Sequence, residues 1–293
     1  MSTIAQALEA PRKNYDWVLW PSVLLVLTSI LYTPVLKLLI LQWWHDPDDA
    51  QGFLVPLVSG YVLWQQRHRW LANEIRPSNF GLPVMLGAIS LLFGGLLGAE
   101  LFTSRFSLLI LLAGMILFLA GWGMLRSLSF PLGFLIFMIP IPALIYNQIT
   151  FPLQLLASRF ATSWLEVMRV PVFREGNILI LPNYALEVVE ACSGVRSLTN
   201  LIALAVAYAY LVDGPRWVRF LLPVLMIPVA IISNALRIMG TGLLTYHFGP
   251  KAAEGFFHVF SGWMVFVLAV LLLLACDRIL RKIDRGERTL AHA

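Results

Sequence analysis

Apolar residues run along this chain in long blocks, separated by short clusters of charged residues, Gly and Pro. The blocks fall at 17–41, 53–66, 80–98, 106–125, 130–149, 197–213, 218–238 and 256–276. Almost every position inside a block is apolar, so periodicity assigns no inner or outer face. Several blocks approach or exceed the roughly 20 residues that carry a helix across about 30 Å of hydrocarbon. Hydrocarbon offers no partner to an open strand edge, so each block is expected to be helical. The pattern predicts an all-α polytopic membrane protein with about eight transmembrane helices. Block 53–66 is the weakest: it is short, contains Pro56, and is read as either a span or a re-entrant segment. Pro140 and Pro142 in the fifth block, and Pro223 and Pro228 in the seventh, are expected to kink their helices. Gly94, Gly95, Gly98, Gly114, Gly121 and Gly123 are expected to let helices approach closely.

Between the fifth and sixth blocks the pattern changes. Residues 150–169 mix Phe151, Leu153, Leu155 and Leu156 with Arg159, Glu166 and Arg169, as in an amphipathic helix lying at an interface. Pro171, the 174–177 cluster, the run Ile178 to Leu181 and Pro182 then predict a turn, a short strand and a second turn. Segment 150–196 is thus the expected extracytoplasmic element.

Loop charges orient the blocks. Arg67, Arg69 and Arg76, then Arg126, then Arg216 and Arg219, then the tail from Arg278 to Arg288 all fall on one side if there are eight spans. Arg12 and Lys13 agree with them. The positive-inside rule makes that side the cytoplasm, with both termini there. The first block follows about fifteen fairly polar residues and has no small-residue cleavage signal after it, so it is expected to be retained. One membrane domain, 1–293, is the simplest parse, with a cytoplasmic segment 1–16 and a basic tail 277–293.

Composition supports the membrane reading: 59% of the 293 residues are hydrophobic, 13% are charged, and the mean hydropathy is +0.79. A soluble domain of this length needs more charge to cover its surface. The net charge of +5 lies between or after apolar blocks and reads as topology, with no aromatic-interleaved basic patch for nucleic acid. Two cysteines, Cys192 and Cys276, make neither a disulfide framework nor a metal cluster. No H-E-x-x-H, G-x-S-x-G or Walker A pattern is present, and no metal or cofactor is expected.

Three polar signals remain. Glu190, Cys192, Gly194 and Arg196 lead into the sixth block. A thiol near a helix start and a guanidinium is biased toward thiolate. Asn234 and Arg237 are three residues apart and Thr241 follows by four, so they share a helix face. His258 follows Glu254 by four residues at the start of the eighth block. The blander readings are a small buried cysteine, a snorkelling arginine and an interfacial histidine. His247 is the only other histidine near this end and ranks as a satellite. The loop-charge topology puts all three signals at the extracytoplasmic ends of spans six, seven and eight. A thiol, an imidazole and a fixed cation there could perform acyl transfer.

In these residues the chain resembles the exosortase family, in its EpsH-type, exosortase A branch. The resemblance rests on Glu190-Ala-Cys192-Ser-Gly194-Val-Arg196-Ser197, Asn234-Ala-Leu-Arg237-Ile238 and His258-Val-Phe-Ser-Gly262-Trp263, and covers about residues 20 to 280. It implies Cys192 as nucleophile, with Arg237 and His258 as the other catalytic residues. Arg196 and Asn234 match positions close to the site, and Glu190 and Glu254 are added as supporting groups. It also implies a membrane cysteine protease or transpeptidase. The implied partners are secreted proteins with a C-terminal Pro-Glu-Pro motif, a transmembrane helix and a basic tail, together with membrane lipids. An exopolysaccharide or lipid-linked acceptor is a further partner class. The implied setting is a bacterial inner membrane with the site facing the periplasm. Some relatives carry a C-terminal periplasmic domain, and none is expected here. One departure is visible: Ala50-Gln51-Gly52 stands where the family usually has Ser-His-Gly. Gln51 cannot act as an acid or base, which favours a non-catalytic role for that position. A transporter or scaffold component of exopolysaccharide export stays open as the alternative.

Overall fold

The computed structural model describes residues 16–46, 49–182, 184–187, 195–212, 214–249 and 256–291; at 195–197, 256–262 and a few other helical positions it describes the backbone alone. Helices dominate. They are α1 (Asp16–His45), α2 (Leu54–Gln65), α3 (Arg67–Leu71), α4 (Gly81–Leu97), α5 (Leu101–Phe134), α6 (Ala143–Val167), α7 (Val195–Leu211), α8 (Arg216–Phe248) and α9 (Phe256–Ala291). Short 3-10 turns at Ala50–Phe53 and Leu135–Met138 join α1 to α2 and extend α5. Among the described residues three stretches are long and apolar enough to cross a membrane: Pro21–His45, Leu101–Met138 and Arg216–Phe248. Gly81–Leu97 and Leu198–Leu211 are shorter apolar helices. α2, with 12 residues, extends only about 18 Å at 1.5 Å per residue. Its Pro56 sits in the first turn, where no backbone bond is lost.

The chain forms two compact units, residues 1–139 and 140–293. In the first, α4 and α5 make a tight helical hairpin. Gly81 and Gly114 are the points of closest approach: a Cβ on Gly114 would stand 2.8 Å from Met85 Cγ. Gly95 likewise leaves room for Ser104. Gly94 and Gly123 face open space, so only part of the expected glycine set serves packing. Gly121 is the kink in α5, at φ 84°. There the backbone of 76–78 crosses α5, with Arg76 N–H donating to Ala120 O and Ser78 N–H to Leu117 O. A Cβ on Gly121 would collide with the Arg76 carbonyl.

Two expectations need correction. The apolar block 130–149 is not one helix. α5 and its 3-10 extension end at Met138, residues 139–142 are non-helical, and α6 starts at Ala143 after Pro142. Pro140 and Pro142 therefore separate two helices, because neither can donate an intrahelical bond. Residues 99–105 fall between the third and fourth apolar blocks, yet α5 already begins at Leu101, with Glu100 as its N-cap.

The second unit holds α6, a small sheet and α7–α9. Chain 173–187 forms a three-stranded antiparallel meander, β1 (Phe173–Glu175), β2 (Ile178–Leu181) and β3 (Tyr184–Glu187), where one strand was expected. Gly176, at φ 63°, supplies the turn between β1 and β2. Leu179 and Leu181 pack with Ala157, Ala161 and Leu165 of α6 and with Ile238 of α8.

Candidate functional site

α7, α8 and α9 pack as an antiparallel bundle. Leu201, Ala205 and Ala209 of α7 meet Val218, Leu222, Met226 and Ala230 of α8 and Ala269 and Leu273 of α9. One end is tied by polar contacts. Tyr208 Oη–H donates to Asp277 Oδ2 at 3.0 Å, Arg281 Nε–H reaches both Asp277 oxygens at 2.7 Å, and Trp217 Nε1–H donates to Asp284 Oδ1 at 3.0 Å. Asp277 is buried, so this pairing satisfies a charge that would otherwise be costly. The guanidinium of Arg281 also lies where a side chain on Gly214 would be.

From the tied end the candidate residues can be placed by helical rise. Counting 1.5 Å per residue from the Trp217–Asp284 contact, Arg237 lies about 30 Å along α8 and His258 about 39 Å along α9. Arg196, twelve residues before Tyr208, lies about 28 Å along by way of α7. The backbone thus brings the start of α7, the Asn234–Arg237 turn of α8 and the start of α9 to the same end of the bundle. Asn234 is 3% exposed and Arg237 half-buried. Thr241 Oγ1–H returns to the Arg237 carbonyl at 3.0 Å, and Thr245 repeats the pattern on Thr241. Cys192, Glu190 and Glu254 lie outside the described residues; in the sequence Cys192 precedes Val195, the first residue of α7, by three. Cys276 packs partly against the α7–α9 core, far along α9 from this end.

Polar features that the sequence reading missed sit nearby. Thr150, Gln154, Ser158 and Thr162 of α6 are all buried, one turn apart. The outward side of α6 is mixed: Ile145, Ile149, Phe160, Trp164 and Val167 are exposed, and so are Gln148, Arg159 and Glu166. A stripe of uncharged polar residues thus faces inward beside Ala157, Ala161 and Leu165, while the exposed face mixes large apolar side chains with Arg159 and Glu166, a composition suited to an interface. Among the described residues Thr150 Oγ1 and Thr162 Oγ1, with Ser233 Oγ of α8, have no hydrogen-bond partner. The i, i+4 spacing was the available signal.

A second polar cluster lies in the first unit. Arg105, 3% exposed, donates from Nη2 to Gln42 Oε1 at 2.7 Å, and Gln42 Nε2 donates to Asp49 Oδ2 at 2.7 Å. Burial pushes the Asp49 carboxyl above its ordinary range, Gln42 pulls it down, Asp46 pushes it up and Arg105 pulls it down; the net direction is up. Glu100 goes the other way. Burial raises it, but bonds from Thr103 and Phe102 and the Arg105 charge outweigh that and leave it below its ordinary value. Beyond Asp49 the 3-10 turn carries Gln51, half-buried, and Gly52. The Trp43 indole lies against Gly52 and donates to Met138 O at 3.0 Å, with Phe53 edge-on at 5.2 Å. Among the described residues no group of three or more His, Cys, Asp or Glu could hold a metal.

Residues 43–275 match the family model for the transmembrane exosortases. No curated protein and no solved structure matches the chain. The match covers most of the chain, which therefore belongs to the transmembrane exosortase family.

Proposed function

We propose that this exosortase is a membrane cysteine protease whose second half-reaction can transfer the acyl group to an acceptor, making it a transpeptidase. Its substrates are secreted proteins anchored by a C-terminal Pro-Glu-Pro motif, a transmembrane helix and a basic tail. The carrying observation is the convergence of the α7 start, the Asn234–Arg237 turn and the α9 start at one end of the bundle. In this reading His258 accepts the Cys192 thiol proton and the thiolate attacks a peptide carbonyl carbon. Arg237 stabilises the charge that develops on the carbonyl oxygen. The C–N bond breaks as the proton passes to the leaving amine, and a thioester remains on Cys192. Water, or an amine or hydroxyl of an acceptor, then attacks the thioester and releases the thiol. Asn234, Arg196, Glu190 and Glu254 support the site, at the periplasmic face of a bacterial inner membrane.

Co-expression with a tagged substrate tests the reading. Cys192→Ala is expected to insert normally and leave the substrate unprocessed. Wild-type processing by that variant removes the nucleophile. A transport role is favoured by one observation, the buried unpartnered hydroxyls of Thr150, Thr162 and Ser233, which could line a polar path. Flux through proteoliposomes that survives Cys192→Ala and is lost with Arg237→Ala would support that second reading.

A further inference from the structure

The order β1-β2-β3 leaves β3 at an edge of the sheet. The register fixes which of its backbone groups are in use. β2 pairs Ile178 with Glu175 and Ile180 with Phe173 on one side, and Leu179 with Leu186 and Leu181 with Tyr184 on the other. The pairs that close the two hairpins, Glu175–Ile178 and Leu181–Tyr184, exchange backbone bonds, and successive residues alternate in direction. Tyr184 and Leu186 thus direct their N–H and C=O groups to β2, while Ala185 and Glu187 turn theirs outward. Among the described residues nothing hydrogen-bonds to that outer edge. Leu186 of β3 is partly buried and packs against the cluster formed by Leu179 and Leu181 with Ala157, Ala161 and Leu165 of α6 and Ile238 of α8, the residue after Arg237. Beyond Glu187 the chain reaches Cys192 in five residues.

We infer that the edge of β3 receives the substrate's Pro-Glu-Pro motif as an added strand, paired through its glutamate to Ala185. The inference rests on the protease reading above and specifies its substrate recognition. Edge addition supplies main-chain affinity to an extended peptide. Proline has no N–H, so in a strand it is confined to places where that side goes unpaired. Prolines two residues apart point the same way, and the residue between them points the other way. Pro-Glu-Pro can therefore pair along one side only, through the N–H and C=O of its glutamate. Opposite Ala185 that glutamate can exchange both bonds. Opposite Glu187 two carboxylates would stand side by side, which is unfavourable.

The test uses the full-length Cys192→Ala protein in lipid nanodiscs. Its probe is a fluorescent synthetic peptide containing the motif, a transmembrane segment and a basic tail, with affinity read by energy transfer. An ester in place of the Pro–Glu amide removes the glutamate N–H and is expected to weaken binding by up to about tenfold, the scale of one net hydrogen bond. Ala185→Pro, which removes an outward N–H, is expected to do the same. Arg174→Pro removes an outward N–H from the opposite edge and is expected to leave affinity unchanged. Unaltered affinity for the ester peptide overturns the inference, and the ester result decides even if Ala185→Pro disrupts the sheet. Equal weakening by Arg174→Pro also overturns it. Because binding is read on a protein lacking the thiol, failure of the edge is distinguishable from failure of Cys192 as nucleophile, which wild-type turnover reports separately.

Discussion

At Asp49 burial opposes the ionised carboxylate more than Gln42 and Arg105 favour it. The folded protein therefore holds this proton more tightly than the unfolded chain does. Stability contributed here rises as pH falls from the raised folded value toward the ordinary value near 3.9, and is lost as pH rises through that window. Thermal melts of wild type and Asp49→Asn from pH 7 to 4 check this. The wild type is expected to gain on the variant as pH falls, and a constant difference would contradict the assignment. Gly52 makes a steric claim of the same scale. Any Cβ there enters the Trp43 indole, which its bond to Met138 holds in place. Gly52→Ala is expected to destabilise by about 1–3 kcal/mol, seen as a lowered melting temperature. At the candidate site, Arg237→Lys keeps the charge but loses the planar fork, and under the proposed mechanism Arg237→Gln loses both. A fall of about 10²–10³ in kcat for Arg237→Gln, with normal insertion, is the outcome expected of a lost oxyanion donor.

Two helix ends share an unusual feature. α4 closes with Glu100 N–H on Gly95 O and Ala99 N–H on Leu96 O, and α6 with Val170 N–H on Leu165 O and Arg169 N–H on Glu166 O. Both are Schellman endings, and both place a side-chain-bearing residue where glycine is preferred: Ala99 at φ 52° and Arg169 at φ 62°. Ala99→Gly and Arg169→Gly are each expected to stabilise by about 1 kcal/mol, measured as a raised melting temperature. Several elements were legible in the sequence because apolar blocks bounded by charge leave little freedom: α1, α4, α7 and the first part of α8 fall close to their blocks. The division of 130–149 was not, since an apolar run conceals a helix break and only Pro140 and Pro142 marked it. α6 was recognised as amphipathic, but amphipathicity alone does not say which face turns inward. Its stripe from Thr150 to Thr162 gains meaning only once its burial is known.

For the whole molecule, the family and its helical membrane character followed from three short motifs set against hydrophobic blocks. Those motifs were readable because Cys192, Arg237 and His258 are polar residues with distinct chemistry at the ends of apolar runs. The Arg105–Gln42–Asp49 relay was not readable, because it joins positions 63 and 7 residues apart through two side-chain bonds. The central claim is that Cys192 forms a covalent acyl intermediate with substrate. Intact-mass spectrometry of the purified protein, quenched in acid during turnover of the motif-bearing peptide, tests it most directly. The account predicts an added mass equal to the acyl fragment, mapped to Cys192 and absent from Cys192→Ala. Product formation with Cys192 unmodified, and equally rapid in Cys192→Ala, would contradict it.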